Sequence, residues 1–449
     1  MNAQPRGRGR QPETSKVPAK ITDLSHEGRG VAHVDGKTVF IDDALPGELV
    51  DWQRLKRGSN FDEGRLLRVV EASPDRVEPR CPHFGMCGGC VLQHLSGEQQ
   101  LQFKQRQLTE ALARIGKVTP EEILPPLQAD VWNYRRRARL SARWVAKKNR
   151  TVIGFRERSA PYVADVKQCV VLQPPADQLI EPLSELVTAL SIRNRMPQVE
   201  VAVADNAVAL VIRALEPLTA GDMDLLHKFG RDHSVEMFLQ PGGYDTVAPM
   251  NAGAAPLEYR LPAFDLALQF LPTDFVQVNA QLNLQMIERA VTLLAPTRDD
   301  KVLDLFCGLG NFSLPLARRA GQVVGVEGEA SLVARARANA SRNGLENTQF
   351  FTANLADESI ASAQFTSPWA GKFDKVLLDP PRAGAKEVLP VVAKSGADTV
   401  LYISCHPGSL ARDAAILVHE HGYELRAAGV MDMFPHTAHV ESAALFVKR

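Results

Sequence analysis

The chain carries no excess charge of either sign: 52 Lys and Arg stand against 52 Asp and Glu over 449 residues. Zero net charge excludes a whole-molecule attraction to polyanions, so any contact with nucleic acid has to come from a local patch. No apolar run is long enough to span a bilayer, and no basic-then-apolar secretory pattern opens the sequence. A membrane partner is therefore not expected, and a cytoplasmic setting is. Cysteine is scarce, at six residues, and three of them (Cys81, Cys87, Cys90) fall within ten positions. A disulfide framework would be spread through a chain of this size; clustering in a reducing compartment favours metal binding or catalysis.

What is present is ordinary globular composition, 45% apolar and 23% charged, in a length that suggests about three domains. The expected division is a polar, disordered tail over 1–16, a small β-domain over 17–75, a central domain over 76–265 and an α/β domain over 266–449. In the second segment, ITDL, GVAHV, KTVFI, ELVDWQRL and GRLLRVV alternate with polar turns, which predicts five short strands closing into a small OB-like barrel.

Cys81, Cys87 and Cys90 are spaced C-x5-C-x2-C among Gly85, Gly88 and Gly89, and Cys169 is the remaining cysteine outside the α/β region. Four thiolates suit an iron–sulfur cluster or a structural zinc, with His83 and His94 keeping the zinc option open. Residues 98–116 predict a helix with Leu108, Ala111, Leu112 and Ile115 on one face and Gly116 at its end. Residues 132–158 hold ten Arg or Lys against one Glu. Their alternation puts Arg135, Arg137 and Arg139 on one strand face, and Trp132, Tyr134 and Trp144 lie among them, a pattern suited to phosphate and base contacts.

The α/β region carries the chemistry. KVLDLFCGLGNFSLPLA reads as strand, glycine turn and helix, with Asp304, Gly308 and Gly310 in the turn, and it is not the dinucleotide fingerprint. The next strand, QVVGVE, ends at Glu327, placed to accept ribose hydroxyls, and Asn354 follows the third. FDKVLLDPPRAG and LYISCHP read as two adjacent parallel strands that deliver Asp379 and Cys405 at their carboxyl ends, where such sheets hold ligands. Glu441 opens an apolar strand expected to run antiparallel into the sheet.

HEGRGVAHVDGKTVFI followed by ALPGE resembles a TRAM domain, an RNA-binding barrel. The glycine turn resembles the first motif of class I S-adenosyl-L-methionine-dependent methyltransferases. FVQVN, DLFCGLGNFS, DPPRAG, YISCHP and HVES, in that order, resemble the RNA uracil-C5 methyltransferase family over nearly the whole chain. A TRAM barrel with four cysteines is similar to the bacterial subgroup acting on 23S ribosomal RNA. The resemblance implies a multidomain α/β architecture: an N-terminal TRAM barrel, a central mixed α/β domain holding a [4Fe–4S] cluster on Cys81, Cys87, Cys90 and Cys169, and a C-terminal Rossmann-like methyltransferase fold.

It implies further that Cys405 is the nucleophile and Glu441 the base, and that Gln277, Phe306, Asn311, Glu327, Asn354 and Asp379 contact S-adenosyl-L-methionine. The chemistry is consistent: C5 of uracil is too weak a nucleophile unaided, and a thiolate added at C6 builds charge at C5. A carboxylate then removes the C5 proton, donors such as Gln277 steady the enolate oxygen, and the base must leave its stack to reach the site. Cys307 in the glycine turn is explained by small size, and Arg382 stands where amino-group methyltransferases have an aromatic. His406 departs from the family, which has Asn after the nucleophile. The competing readings are a tRNA uracil-C5 methyltransferase and a non-catalytic RNA-binding iron–sulfur protein; a monomer is expected in each case.

Overall fold

The structure, a computed structural model, describes residues 13–14, 18–360 and 368–449. These fall into two compact units: Met1–Gly85 with Cys90–Phe103 and His436–Ala438, and Met86–Gly89 with Lys104–Pro435 and His439–Arg449. Most of the expected tail lies outside the described residues. Glu13–Thr14 (β1) within it forms a short strand, a correction to the tail reading, because its backbone pairs antiparallel with Arg54 and Gln53.

In the first unit β2 (Ala19–Leu24), β3 (Gly30–Val34), β4 (Lys37–Asp42), β5 (Leu49–Arg57) and β6 (Phe61–Glu71) follow the five predicted strands. Their order, β1-β5-β2-β3-β4-β6, closes through an added β5–β6 pairing into a barrel. Alternate side chains fill it: Ile21, Ala32, Val39, Ile41, Val50 and Trp52 are all buried. Gly64 is required on β6, since a Cβ there would sit 2.5 Å from the Trp52 ring.

Helix α1 (Gly97–Ala111) starts in the first unit and ends in the second, then widens into a five-residue π turn, Leu112–Gly116. That turn corrects the single-face expectation: Leu108 and Leu112 are buried, but Ile115 is rotated outward and exposed. The left-handed cap is Lys117, not Gly116; Gly116 is needed because a Cβ there would lie 2.6 Å from the Ala411 carbonyl. Beyond it comes the two-residue strand β7 (Glu122–Ile123).

The second unit contains two large sheets. The smaller is built from β8 (Arg137–Val145), β9 (Arg150–Gly154), β10 (Gln198–Val203), β11 (Val208–Arg213), β12 (Glu236–Gln240) and β13 (Ala248–Pro249), with α2 (Ile180–Ala189) and α3 (Ala220–His233) between strands. Its order is β13-β12-β11-β10-β8-β9. The hairpin of β14 (Leu257–Leu261) and β15 (Leu266–Phe270) follows, and the division expected at 265/266 falls in its turn.

The larger sheet is fed by α4 (Ala280–Leu294), β16 (Lys301–Leu305), α5 (Ser313–Ala317), β17 (Gln322–Glu327), α6 (Ala330–Arg342), β18 (Thr348–Thr352), β19 (Lys375–Leu378), α7 (Leu389–Ser395), β20 (Thr399–Ser404), α8 (Pro407–Ala415), β21 (Tyr423–Met431) and β22 (Glu441–Lys448). The order is β18-β17-β16-β19-β20-β22-β21-β7, with β22 antiparallel to both neighbours. The strands are apolar on both faces because each face is covered. Val302, Leu377 and Leu401 face the core with α4 and α6, whereas Leu303, Leu378 and Tyr402 face the core with α7 and α8. The last strand, β7, comes from outside the α/β segment read from sequence; Gly429 lets it approach, since a Cβ there would stand 2.7 Å from Leu124.

Candidate active site

The site lies at the carboxyl ends of β16, β17, β19 and β20. After β16 the chain turns through Phe306, at φ +65°, and Gly308, at φ +54°, with open space where a Gly308 Cβ would point. A ligand can therefore come close to this backbone. Glu327, ending β17, accepts the Gly308 N–H at 3.1 Å and those of Gly328 and Glu329 at 2.7 and 3.2 Å. Asn354 is exposed past β18, its side chain capping the Ala356 N–H at 3.2 Å.

Asp304 is wholly buried; one oxygen accepts from Ser313, and Oδ1 has no hydrogen-bond donor among the described residues. Burial pushes its carboxyl up to about 7 against the Ser313 hydrogen bond, with Asp379 and Glu327 adding to the rise. Asp379 is half-buried by surface area, yet its carboxyl is desolvated enough to be pushed up to about 7, with Glu327 as the second cause. These unneutralised carboxyls, together with the open glycine turn, fit a ligand that brings positive charge.

Cys405 follows β20 directly. Ser404 pairs with Ser442 as the last pair of the β20–β22 ladder; Glu441 opens β22 and Cys405 occupies the bend directly after β20. Burial pushes the Cys405 thiol up to about 11, with Glu441 and Asp379 adding and Arg382 opposing. The Glu441 carboxyl is buried and held well above the usual carboxylate range by desolvation and then Asp379, again opposed by Arg382. Glu441 and Asp379 thus both raise the Cys405 thiol while Arg382 opposes them, and Arg382 Nη2 lies 2.9 Å from His439 Nδ1.

His406 has a clear local role. Its Nδ1 accepts the Ser409 N–H at 3.1 Å, making it the N-cap of α8. An imidazole nitrogen takes the capping position that a short amide oxygen takes in helices generally. The Ser404 hydroxyl bonds both backbone groups of His406, at 3.1 and 3.2 Å, bracing the turn around Cys405.

Gln277 is half-buried in a segment pinned on either side. Asp274 accepts the Leu271 N–H at 2.6 Å and pairs with Arg335 at 2.5 Å, and the Arg136 N–H donates to Val278 O at 2.8 Å. Asn279 caps α4 through Leu282 N at 3.1 Å. The aromatic missed in the sequence reading is Phe275, 71% exposed beside buried Val276. The FVQVN alternation contained that signal. Asn311 is placed differently from a residue turned to a ligand: its amide oxygen accepts from Tyr259 at 2.9 Å and Asn283 at 3.1 Å, and its amide nitrogen donates to Asn283 at 3.0 Å.

The basic segment is largely answered by carboxylates. Arg136 is buried against Asp205 at 2.6 Å, Arg137 and Arg139 share Glu200 at 3.5 and 3.2 Å, and Lys148 and Arg150 share Asp165 at 2.5 Å each. Arg135 leaves the expected common face; its Nε donates to Arg137 O at 2.8 Å. Tyr134 is buried with its hydroxyl on Pro435 O at 3.3 Å, so it offers no stacking face. Arg143, Lys147 and Arg156 are exposed, and Arg193 lies over the Trp144 ring at 4.7 Å.

Of the four expected cluster ligands, Cys81 and Cys90 belong to the first unit and Cys87 and Cys169 to the second. Among the described residues no group of three or more His, Cys, Asp or Glu is assembled to hold a metal. No helix among them is long and apolar enough to cross a membrane.

The family described as tRNA (Uracil-5-)-methyltransferase matches residues 263–449, and the TRAM domain matches residues 11–52. The chain is 53% identical over 433 residues to 23S rRNA (uracil(1939)-C(5))-methyltransferase RlmD of Xanthomonas campestris pv. campestris (strain 8004), covering 96% of each chain. It is 52% identical over 434 residues to the protein of the same name from Stenotrophomonas maltophilia (strain K279a), covering 96% of this chain and 97% of that one. Pyrococcus abyssi tRNA (uracil-54, C5)-methyltransferase, solved in complex with S-adenosyl-L-homocysteine, shares the fold at a TM-score of 0.74 and 23% identity, over 96% of this chain and 100% of that one. With a barrel, a glycine turn and a thiol–carboxyl pair in the expected places, and identity of this extent, the chain belongs to the RNA uracil-C5 methyltransferase family.

Proposed function

We propose that the protein methylates C5 of one uridine in 23S ribosomal RNA, the uridine that the relatives' names number 1939, with S-adenosyl-L-methionine as donor. The observation that carries the reading is the pair Cys405 and Glu441 at the carboxyl ends of the sheet. In this reading Glu327, Asp379, Phe306, Gln277 and Asn311 line the donor's place, with Asn354 at its adenine end, and the Asn311 amide is held by Tyr259 and Asn283. The donor, when bound, supplies a methyl group on a sulfonium and one positive charge.

That charge favours the ionised forms of the carboxyls and of the thiol, offsetting the burial that holds them protonated in the free protein. Cys405 loses its proton to water and adds to C6 as the thiolate, and the C5–C6 π electrons move through C4 onto O4, where Gln277 can donate. After C5 has gained the methyl group, Glu441 takes the C5 proton, the C6–Sγ bond breaks and the thiolate is restored. Phe275, exposed two residues before Gln277, offers a stacking face for a base drawn out of its helix.

In this reading the barrel contacts RNA, as do the exposed Arg143 and Lys147 of the second unit, in a cytoplasmic enzyme. Nucleoside mass spectrometry after incubation with 23S and tRNA transcripts tests it. New 5-methyluridine in the 23S transcript alone supports it; methylation of tRNA instead overturns the substrate and keeps the chemistry. The [4Fe–4S] cluster on Cys81, Cys87, Cys90 and Cys169 is a separate proposal supported by cysteine spacing. Iron and acid-labile sulfide in anaerobically purified protein decide it.

A further inference from the structure

Behind the reacting groups lies a buried network that the methylation chemistry does not itself use. Asp413, on α8, is wholly buried and accepts three donors: Ala385 N–H at 2.7 Å, Tyr402 O–H at 2.7 Å and Arg412 Nε at 2.8 Å. Arg412 also donates through Nη2 to Ala383 O at 2.8 Å. Between those two attachment points Gly384 takes φ +86°, and a Cβ there would lie 2.4 Å from Arg412 Nη2 and 2.5 Å from Asp413 Oδ2. The turn is closed by Gly384 N–H on Pro381 O at 2.8 Å. Residues 379–385 are thus fastened at their far end to the helix whose first turn begins behind Cys405.

We propose that Asp413 and Arg412 are positioning residues, which lock residues 379–385 onto α8 and so hold the Arg382 guanidinium beside Cys405 and Glu441. The proposal rests on the assignment of Cys405 as nucleophile. Three consequences of the geometry support it. Asp413 is tied from one side to β20, the strand that ends just before Cys405, and from the other to the loop that carries Asp379 and Arg382. Arg382 is the positive charge that opposes the proton affinity of both the thiol and the Glu441 carboxyl. Its other contact, His439 Nδ1, is a neutral acceptor in an exposed position, too weak to fix the loop by itself. The groups facing the thiol are Glu441 from β22 and Asp379 and Arg382 from the loop; the His406 Nδ1 is committed to Ser409.

The test uses the full-length protein. Alkylation of Cys405 by iodoacetamide, resolved by peptide mass spectrometry, is followed against pH for wild type, Asp413→Asn and Arg412→Gln, each also in an Arg382→Gln background. Melting temperatures and steady-state methylation are recorded beside it. The expected result is a Cys405 profile displaced to higher pH in both variants, with no further displacement in the Arg382→Gln background. The kcat for methylation falls about tenfold or more, with KM for the methyl donor within about twofold, as a small misplacement of reacting groups requires. Should Asp413→Asn fail to fold, Arg412→Gln carries the test, since that side chain is 39% exposed.

An alkylation profile unchanged from wild type, with only the melting temperature lowered, overturns the proposal. So does an equal displacement with and without Arg382. Wild-type protein that forms no 5-methyluridine in any RNA counts against the methylation reading instead, and the alkylation comparison still decides the positioning claim.

Discussion

Cys405 and Glu441 each lie one residue beyond Ser404–Ser442, the last pair of the antiparallel β20–β22 ladder. Glu441 is held in the β22 ladder and Cys405 in the bend directly after β20, and the Glu441 carboxylate raises the proton affinity of the thiol. In the proposed mechanism two steps, addition at C6 and proton removal at C5, fall to two side chains. Glu441→Gln leaves the first intact and blocks the second. That variant is expected to lose about 10²- to 10⁴-fold in turnover and to accumulate a covalent protein–RNA adduct, seen as a retarded band on a denaturing gel. A Glu441→Gln enzyme that turns over normally would remove the carboxyl from the mechanism.

Thiol reactivity in the free protein follows from burial. With the Cys405 thiol pushed up to about 11, neutral pH leaves it almost entirely protonated. The alkylation rate should rise about tenfold per pH unit through the range below 11, since only the thiolate reacts. A plateau reached near pH 8 would contradict the site's electrostatics.

His406 tests the local reading of a departure from the family. As the N-cap of α8 its Nδ1 takes the Ser409 N–H. His406→Asn is expected to keep melting temperature and activity, because an amide oxygen can cap as well. His406→Ala is expected to cost about 1 kcal/mol of stability, measured by denaturant titration. A severe loss of activity in His406→Asn, with stability unchanged, would give the imidazole a chemical role instead.

Away from the site, Asp222 dictates a pH dependence of stability. Burial alone would raise its carboxyl, but hydrogen bonds from Ser191 and Thr219 outweigh it and hold the group at about 2, below the ordinary aspartate value. A group depressed on folding stabilises above its unfolded pKa and loses that contribution as pH falls through the folded value. Thermal melts of wild type and Asp222→Asn should therefore differ most above about pH 4 and converge toward about pH 2. Melting curves that stay equally far apart down to pH 2 would exclude this linkage.

The sequence made the α/β sheet legible because its strands end in distinctive residues. Glu327, Asp379 and Cys405 each fall where a strand terminates, and Glu441 opens the antiparallel strand as expected. Less legible were features that depend on distant partners. The basic run around Arg137 looked like an RNA face, yet Glu200 and Asp205, more than sixty residues away in sequence, neutralise much of it. The two-residue strand β7 is too short to carry a periodic signal, and it pairs with β21 some three hundred positions later. Ile115 fell off its predicted face because a π turn breaks the 3.6-residue period on which that face depends. Nor does a glycine in a D-P-P-R-A-G string reveal that Asp413 lies against it.

The most direct test of the central claim, that Cys405 attacks the uracil ring, is a trap with RNA that cannot complete the cycle. A 23S fragment carrying 5-fluorouridine at the target position is incubated with the protein and S-adenosyl-L-methionine, then digested for peptide mass spectrometry. Fluorine at C5 cannot leave as a proton does, so the C6–Sγ bond should persist. The account predicts a methylated fluorouridine joined to the peptide that contains Cys405, and none in Cys405→Ala protein. A stable adduct on another cysteine, or methyl transfer to unmodified RNA by Cys405→Ala, would contradict it.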